Sequence, residues 1–118
     1  MKDHARFEEV LVAAICSRDP EAAMRRAARD RRLSPELRAR FAITHSDGIR
    51  MAALLVARLR FERLLHGSPL AAEAWELRPE KFTALFRRYH HEAPPSAFFP
   101  AAEAKLFAAW CRRRKVAP

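Results

Sequence analysis

Apolar residues recur along this chain at intervals of three and four and almost never alternate with polar ones, which is the spacing of helices that bury one face. Phe7, Val10, Leu11, Ala14 and Ile15 form the first such stripe and predict a helix over 3–17. Proline marks the next boundaries. Pro20, Pro35 and Pro69 each follow an Asp or Ser, and a capping side chain followed by proline opens a helix. The reading therefore places an alanine- and arginine-rich surface helix over 20–32. A short helix then opens at Ser34-Pro35-Glu36, with Leu37, Phe41 and Ile43 turned inward.

Asp47-Gly48 reads as a turn before the longest helix, over 48–66, where Ile49, Ala52, Leu55, Val56, Leu59 and Leu64 make the middle apolar almost all round. Such a helix belongs in the core. Gly67 reads as a left-handed stop, and Ser68-Pro69 caps a short helix carrying Leu70, Ala74, Trp75 and Leu77. Pro79 starts another, with Phe82, Leu85, Phe86 and Tyr89 on one face, and Pro94-Pro95 end it in an extended loop through Phe99. Pro100 opens the last helix, apolar at Leu106, Phe107 and Trp110 and closing on Arg112-Arg113-Arg114-Lys115. With two glycines and no asparagine, hairpin turns have little to form from. The expected fold is all-α: a single compact bundle of about six or seven short helices around one long central helix.

At 118 residues the chain is long enough for one domain with a core, burying roughly two thirds of its unfolded surface. Lys and Arg number 23 against 14 Asp and Glu, a net charge of +9, so the expected partners are anionic: nucleic acid, an acidic protein or an acidic peptide. The cations concentrate over 25–40, at Arg58, Arg60 and Arg63, and in the C-terminal run. No stretch approaches the length of a membrane span, because those three arginines interrupt the longest apolar run. The N-terminus lacks the pattern of a signal peptide. Cys16 and Cys111 have no CxxC partner and read as two free thiols in a cytoplasmic protein.

Candidate chemistry is sparse. His4, His45, His66, His90 and His91 form neither HxxxH nor HExxH, and neighbouring helical histidines point about a hundred degrees apart, which argues against a metal centre. His90 and His91 read instead as residues at a helix C-terminus, where the dipole favours their positive form. Neither cysteine has a nucleophile signature, and no glycine-rich loop is present to cradle phosphate. These readings point away from an enzyme, with no catalytic or metal-binding residue and no cofactor in this chain. A nucleic-acid-binding protein is the rival class suggested by the charge, although no helix-turn-helix with a base-reading face is evident. The least ordinary segment is 89–100, a proline-stiffened loop with adjacent aromatics. It must bury Phe98 and Phe99, the commoner outcome, or show one to a partner. The contact candidates are Arg50, Arg58 and Arg60 on the long helix, and Tyr89, His91, Phe98 and Phe99 around the proline loop.

The order of several short motifs carries a resemblance. Arg40-Phe41-Ala42-Ile43 stands where one family has Arg-x-Ala-Ile-Tyr, Leu64-Leu65-His66-Gly67 approximates the Leu-Leu-Gly that ends its long helix, and Phe82 to Tyr89 with Pro94-Pro95 is similar to its Phe, Leu, Tyr and Pro-Pro segment. Phe107-Ala108-Ala109-Trp110 falls on its closing Phe-x-x-Leu. From Arg40 to Trp110 the chain thus resembles the helical domain of the HvfC-like family, often described as DNA-binding, whose members partner multinuclear non-haem iron oxidases. Thr44-His45 departs from the family's Tyr-Arg. A chain ending at Pro118, without the family's usual second domain, is most similar to the short TglI-like members. The resemblance implies one helical domain over 1–118, with N-terminal helices in 1–33 and the family core in 34–115. It implies a non-catalytic subunit that binds a TglH-like iron oxidase and helps present a ribosomally synthesised precursor peptide. The reaction implied is excision of a cysteine β-carbon in 3-thiaglutamate biosynthesis, with iron held by the oxidase.

Overall fold

The computed structural model describes residues 2–118 and places seven α-helices and no strand among them. They are α1 (Lys2–Ile15), α2 (Pro20–Arg29), α3 (Pro35–Ala42), α4 (Ser46–Gly67), α5 (Pro69–Leu77), α6 (Pro79–Glu92) and α7 (Pro100–Arg114). The fold is all-α, as the spacing predicts, and α4 is the longest element at 22 residues. Among the described residues no helix is long and apolar enough to cross a membrane.

The predicted caps form. Asp19, Ser34 and Ser68 each accept a hydrogen bond from the backbone N–H three residues on, at 3.0, 3.2 and 3.1 Å, and a proline follows each at the first helical position. Each bond satisfies a donor that the helix itself leaves open, worth about 1 kcal/mol. Helix α2 ends at Arg29, earlier than the alanine-rich pattern suggests, because the Asp30 carboxylate accepts both the backbone N–H and the guanidinium of Arg32. Those bonds hold the Asp30 carboxyl below its ordinary value. Helix α7 closes differently: Lys115 takes a left-handed conformation, φ 56°, while the Val116 and Lys115 amides bond back to the Cys111 and Arg112 carbonyls. This is a Schellman closure with lysine in the place glycine usually takes, and it folds Val116 back onto the core.

The chain divides into two compact units, the first ending at Val56 and the second covering Ala57–Pro118, so the boundary falls inside α4. In the first unit α2 packs on α1 and α3 around Met24, Ala27, Leu37, Phe41 and Ile49. Phe7 stacks on Phe41 at 4.8 Å, and the Arg40 guanidinium covers the Phe7 ring. In the second unit Leu64, Phe82, Phe86, Tyr89, Phe107 and Trp110 form the core. Phe61 meets Trp75 and Phe86 edge-on at 5.2 and 5.0 Å, the arrangement the aromatic quadrupole favours.

Several side chains expected inside are not there. Ile43 is 83% exposed, because it lies two residues beyond Phe41 and so on the far side of α3. On α4 only Ile49, Arg60 and Leu64 are buried, whereas Leu55 and Leu59 face out. Leu70 and Leu77 are exposed as well, because α5 packs through its small residues Ala71 and Ala74. Asp47 and Gly48 belong to the first turn of α4 rather than to a turn before it. Gly67 does not adopt the left-handed conformation. Its lack of a side chain serves packing, since a Cβ there would overlap the Pro100 carbonyl.

Candidate functional site

A buried polar cluster ties α4, α6 and α7 together within the second unit. Arg60, Glu103 and Tyr89 are each 0% exposed and His90 is buried beside them. The Arg60 guanidinium donates through Nε to Glu103 Oε2 at 3.0 Å and through Nη1 to the Ala93 carbonyl at 2.7 Å and to His90 Nδ1 at 3.3 Å. Nη2 reaches the Pro94 carbonyl at 3.4 Å, and the guanidinium carbon sits 4.3 Å over the Tyr89 ring. The Tyr89 hydroxyl donates to the same Glu103 oxygen. Arginine suits this place because one planar fork serves a carboxylate, two carbonyls and an imidazole at once. Among the described residues Glu103 Oε1 accepts no hydrogen bond, and Arg63 Nη2 lies 3.7 Å from it.

The protonation states follow from the burial. Desolvation, and then the hydrogen bond to Glu103, push the Tyr89 phenol well above its ordinary value, so it remains a donor. Desolvation, the Arg60 charge and the His91 charge push His90 down to about 4. His90 is therefore neutral at pH 7, with Nδ1 accepting from Arg60 and the proton on Nε2. This corrects the expectation of a positive His90 at the end of α6: loss of solvation outweighs the helix dipole.

The cluster sets the geometry of the loop that leaves α6. Arg60 holds the carbonyls of Ala93 and Pro94 at one end, and the backbone of Pro100 lies against Gly67 at the other. Between them Pro94 and Pro95 fix two φ angles. Phe98 and Phe99 are left 85% and 72% exposed on a segment fixed at both ends. The commoner outcome, burial of both rings, is not the one realised.

The remaining contact candidates separate. Arg60 and Tyr89 are interior residues, so neither presents a surface to a partner; what they position is the loop. His91 is exposed, its ring 5.6 Å from that of His90. Arg58 is exposed and pairs with Glu62 at 3.4 Å, while Arg50, in the first unit, pairs with Glu21 at 3.2 Å and with Asp47. The sequence reading missed Glu103 and the partners of Arg60. A signal was present: Glu103 stands three and four residues before Leu106 and Phe107, on the apolar stripe of α7, where an acid needs a buried cation. Glu92 is a second omission. It accepts from Trp110 Nε1 at 3.2 Å and from Arg88 at 3.2 Å, and pairs with Arg114 at 2.7 Å. Burial alone would raise its carboxyl, but these partners hold it below the ordinary value.

Cys16 and Cys111 are both buried, and burial pushes the Cys111 thiol up, away from a reactive thiolate. Among the described residues no group of three or more His, Cys, Asp or Glu side chains is placed to hold a metal ion. In comparisons with known proteins the chain matches no family model, no curated protein and no solved structure.

Proposed function

We propose that this chain is a non-catalytic accessory protein that docks on a partner enzyme through the Phe98-Phe99 loop. The observation that carries the docking is the exposure of two adjacent aromatics on a segment already fixed at both ends. A large aromatic held in place loses little freedom on binding, and such residues dominate interface energetics. The partner in this reading is a multinuclear non-haem iron oxidase of the TglH type, which holds the iron, and the chain helps present a precursor peptide for cysteine β-carbon excision. That choice rests on the Arg40 to Trp110 resemblance. The cytoplasm is the matching compartment, in keeping with a buried Cys111 thiol that forms no disulfide.

The test is a size-exclusion and titration experiment with such an oxidase at micromolar concentration. Co-migration is expected, and the Phe98→Ala, Phe99→Ala double variant is expected to weaken the complex at least about tenfold with its melting curve unchanged. Separate migration of the unaltered chain and the oxidase would end the oxidase reading. Loss of folding in the double variant would instead make the two rings structural.

A second reading, nucleic-acid binding, is favoured by one feature: Arg25, Arg26 and Arg29 on α2 are exposed and have no acidic partner among the described residues. Binding of this kind would weaken steeply with salt, since neutralising phosphates releases counterions.

A further inference from the structure

The second unit contains an open groove of about 600 Å³ that shares no lining residue with the Phe98-Phe99 loop. Its apolar lining includes Leu77 from α5, Phe82 and Leu85 from α6, and Val116, which the turn after α7 folds back onto the core. Three cations stand among these residues: Arg78 between α5 and α6, then Lys81 and Arg88 on α6. Among the described residues Arg78 and Lys81 have no acidic partner, while Arg88 is held by Glu92 at 3.2 Å.

The spacing of the cations identifies the occupant. Lys81, Leu85 and Arg88 are four and three residues apart and share one face of α6, with Arg78 just ahead of its first turn. From Arg78 to Arg88 the row runs about 15 Å at the helical rise. A single head group, as on a fatty acid, would meet Arg78 and Lys81 at one end of the row and not reach Arg88, whose partner Glu92 is shared with Arg114 at 2.7 Å and so compensates it only in part. A helical segment bearing acids at three- and four-residue intervals would meet all of it while setting apolar side chains on Leu77, Leu85 and Val116. The apolar lining also disfavours a phosphate backbone, which has nothing to bury there.

We infer that this groove is a docking site for an acidic amphipathic helix of another protein, with Arg78, Lys81 and Arg88 as its charge-reading row. The inference depends neither on the oxidase nor on Phe98 and Phe99. Occupancy transfers apolar area from water on both partners, and the cations set the orientation and favour acidic over basic helices.

The experiment is a fluorescence-anisotropy titration of the full chain with a labelled designed peptide of about four helical turns, leucines on one face and glutamates flanking them. A twin carrying lysine for every glutamate serves as comparison. Saturable micromolar binding is expected for the acidic peptide, with the twin at least about tenfold weaker. Arg78→Glu with Lys81→Glu, both exposed positions, is expected to cost at least about tenfold, and Leu77→Ser about threefold. Arg25→Glu with Arg29→Glu changes the net charge equally in the first unit and is expected to cost less than about twofold. Equal losses from the two charge-reversal pairs would overturn the site in favour of general attraction by net charge. Absence of saturable binding, or equal affinity for the lysine twin, would overturn it outright. Binding of a single-stranded oligonucleotide that Arg78→Glu with Lys81→Glu abolishes, with the acidic peptide unaffected, would assign the row to nucleic acid instead.

Discussion

At the scale of single residues, the strongest constraint is the placement of charge inside a dry core. Arg60 and Glu103 are both fully buried, and either alone would be an unpaired charge costing several kcal/mol. Their bond spans 43 positions of sequence, so no local pattern could join them, although the acid on the apolar stripe of α7 was itself visible. Phe98 and Phe99 were legible in the opposite sense: the prolines announced a stiff loop, and only the tertiary anchors decided that the rings face out. The same burial gives His90 a measurable signature. Its native value near 4 lies below the ordinary 6.5, so the unfolded chain binds a proton that the native state refuses. The stability this confers is fully present above pH 6.5 and is lost as pH falls toward 4, with about 2 kcal/mol expected to go between pH 7 and pH 5. Urea unfolding across that interval checks it, and His90→Asn, whose Oδ1 can still accept from Arg60, should flatten the slope. An unchanged slope in His90→Asn would remove His90 as the cause.

At the scale of elements, boundaries were readable wherever a side chain or a proline ends a helix by local chemistry. Asp19-Pro20, Ser34-Pro35 and Ser68-Pro69 each cap as their sequence dictates. Helix α4 was readable as a helix but not in its facing, because a segment apolar nearly all round does not say which side is buried. Gly67 shows a different limit: a glycine after an apolar helix fits both a left-handed stop and a close approach, and only the position of Pro100 chooses. The two roles respond differently to substitution. Asn is tolerated at a left-handed stop, whereas any Cβ is rejected where backbone lies in its place. Gly67→Ala and Gly67→Asn are therefore both expected to destabilise, by about 1–3 kcal/mol each, as overpacking against an unyielding neighbour does. Thermal unfolding of the pair checks this, and an Asn variant as stable as the unaltered chain would restore the left-handed stop.

At the scale of the whole molecule, the division inside α4 was not legible, because no proline or glycine interrupts the helix between Ile49 and Leu64, and the arginines from Arg58 on do not break a helix. The net charge of +9 was legible, and it makes ionic strength the variable that separates the functional readings. Cations without acidic partners repel one another, so added salt is expected to raise the melting midpoint of the free chain by screening. Binding responds in another way. A dock made by Phe98 and Phe99 buries apolar area and is expected to change less than about threefold between about 0.05 and 0.5 M salt. Neutralising even about four phosphates would cost more than about a thousandfold over the same range, because each contact releases condensed counterions. The groove at Arg78 and Lys81 falls between these limits, since it combines an apolar lining with a short row of charge. One salt series, run on the free chain, an oxidase, the acidic peptide and an oligonucleotide, therefore ranks the three surfaces by the physics each uses. A steep loss on the oxidase would show that arginines rather than the two phenylalanines carry that contact.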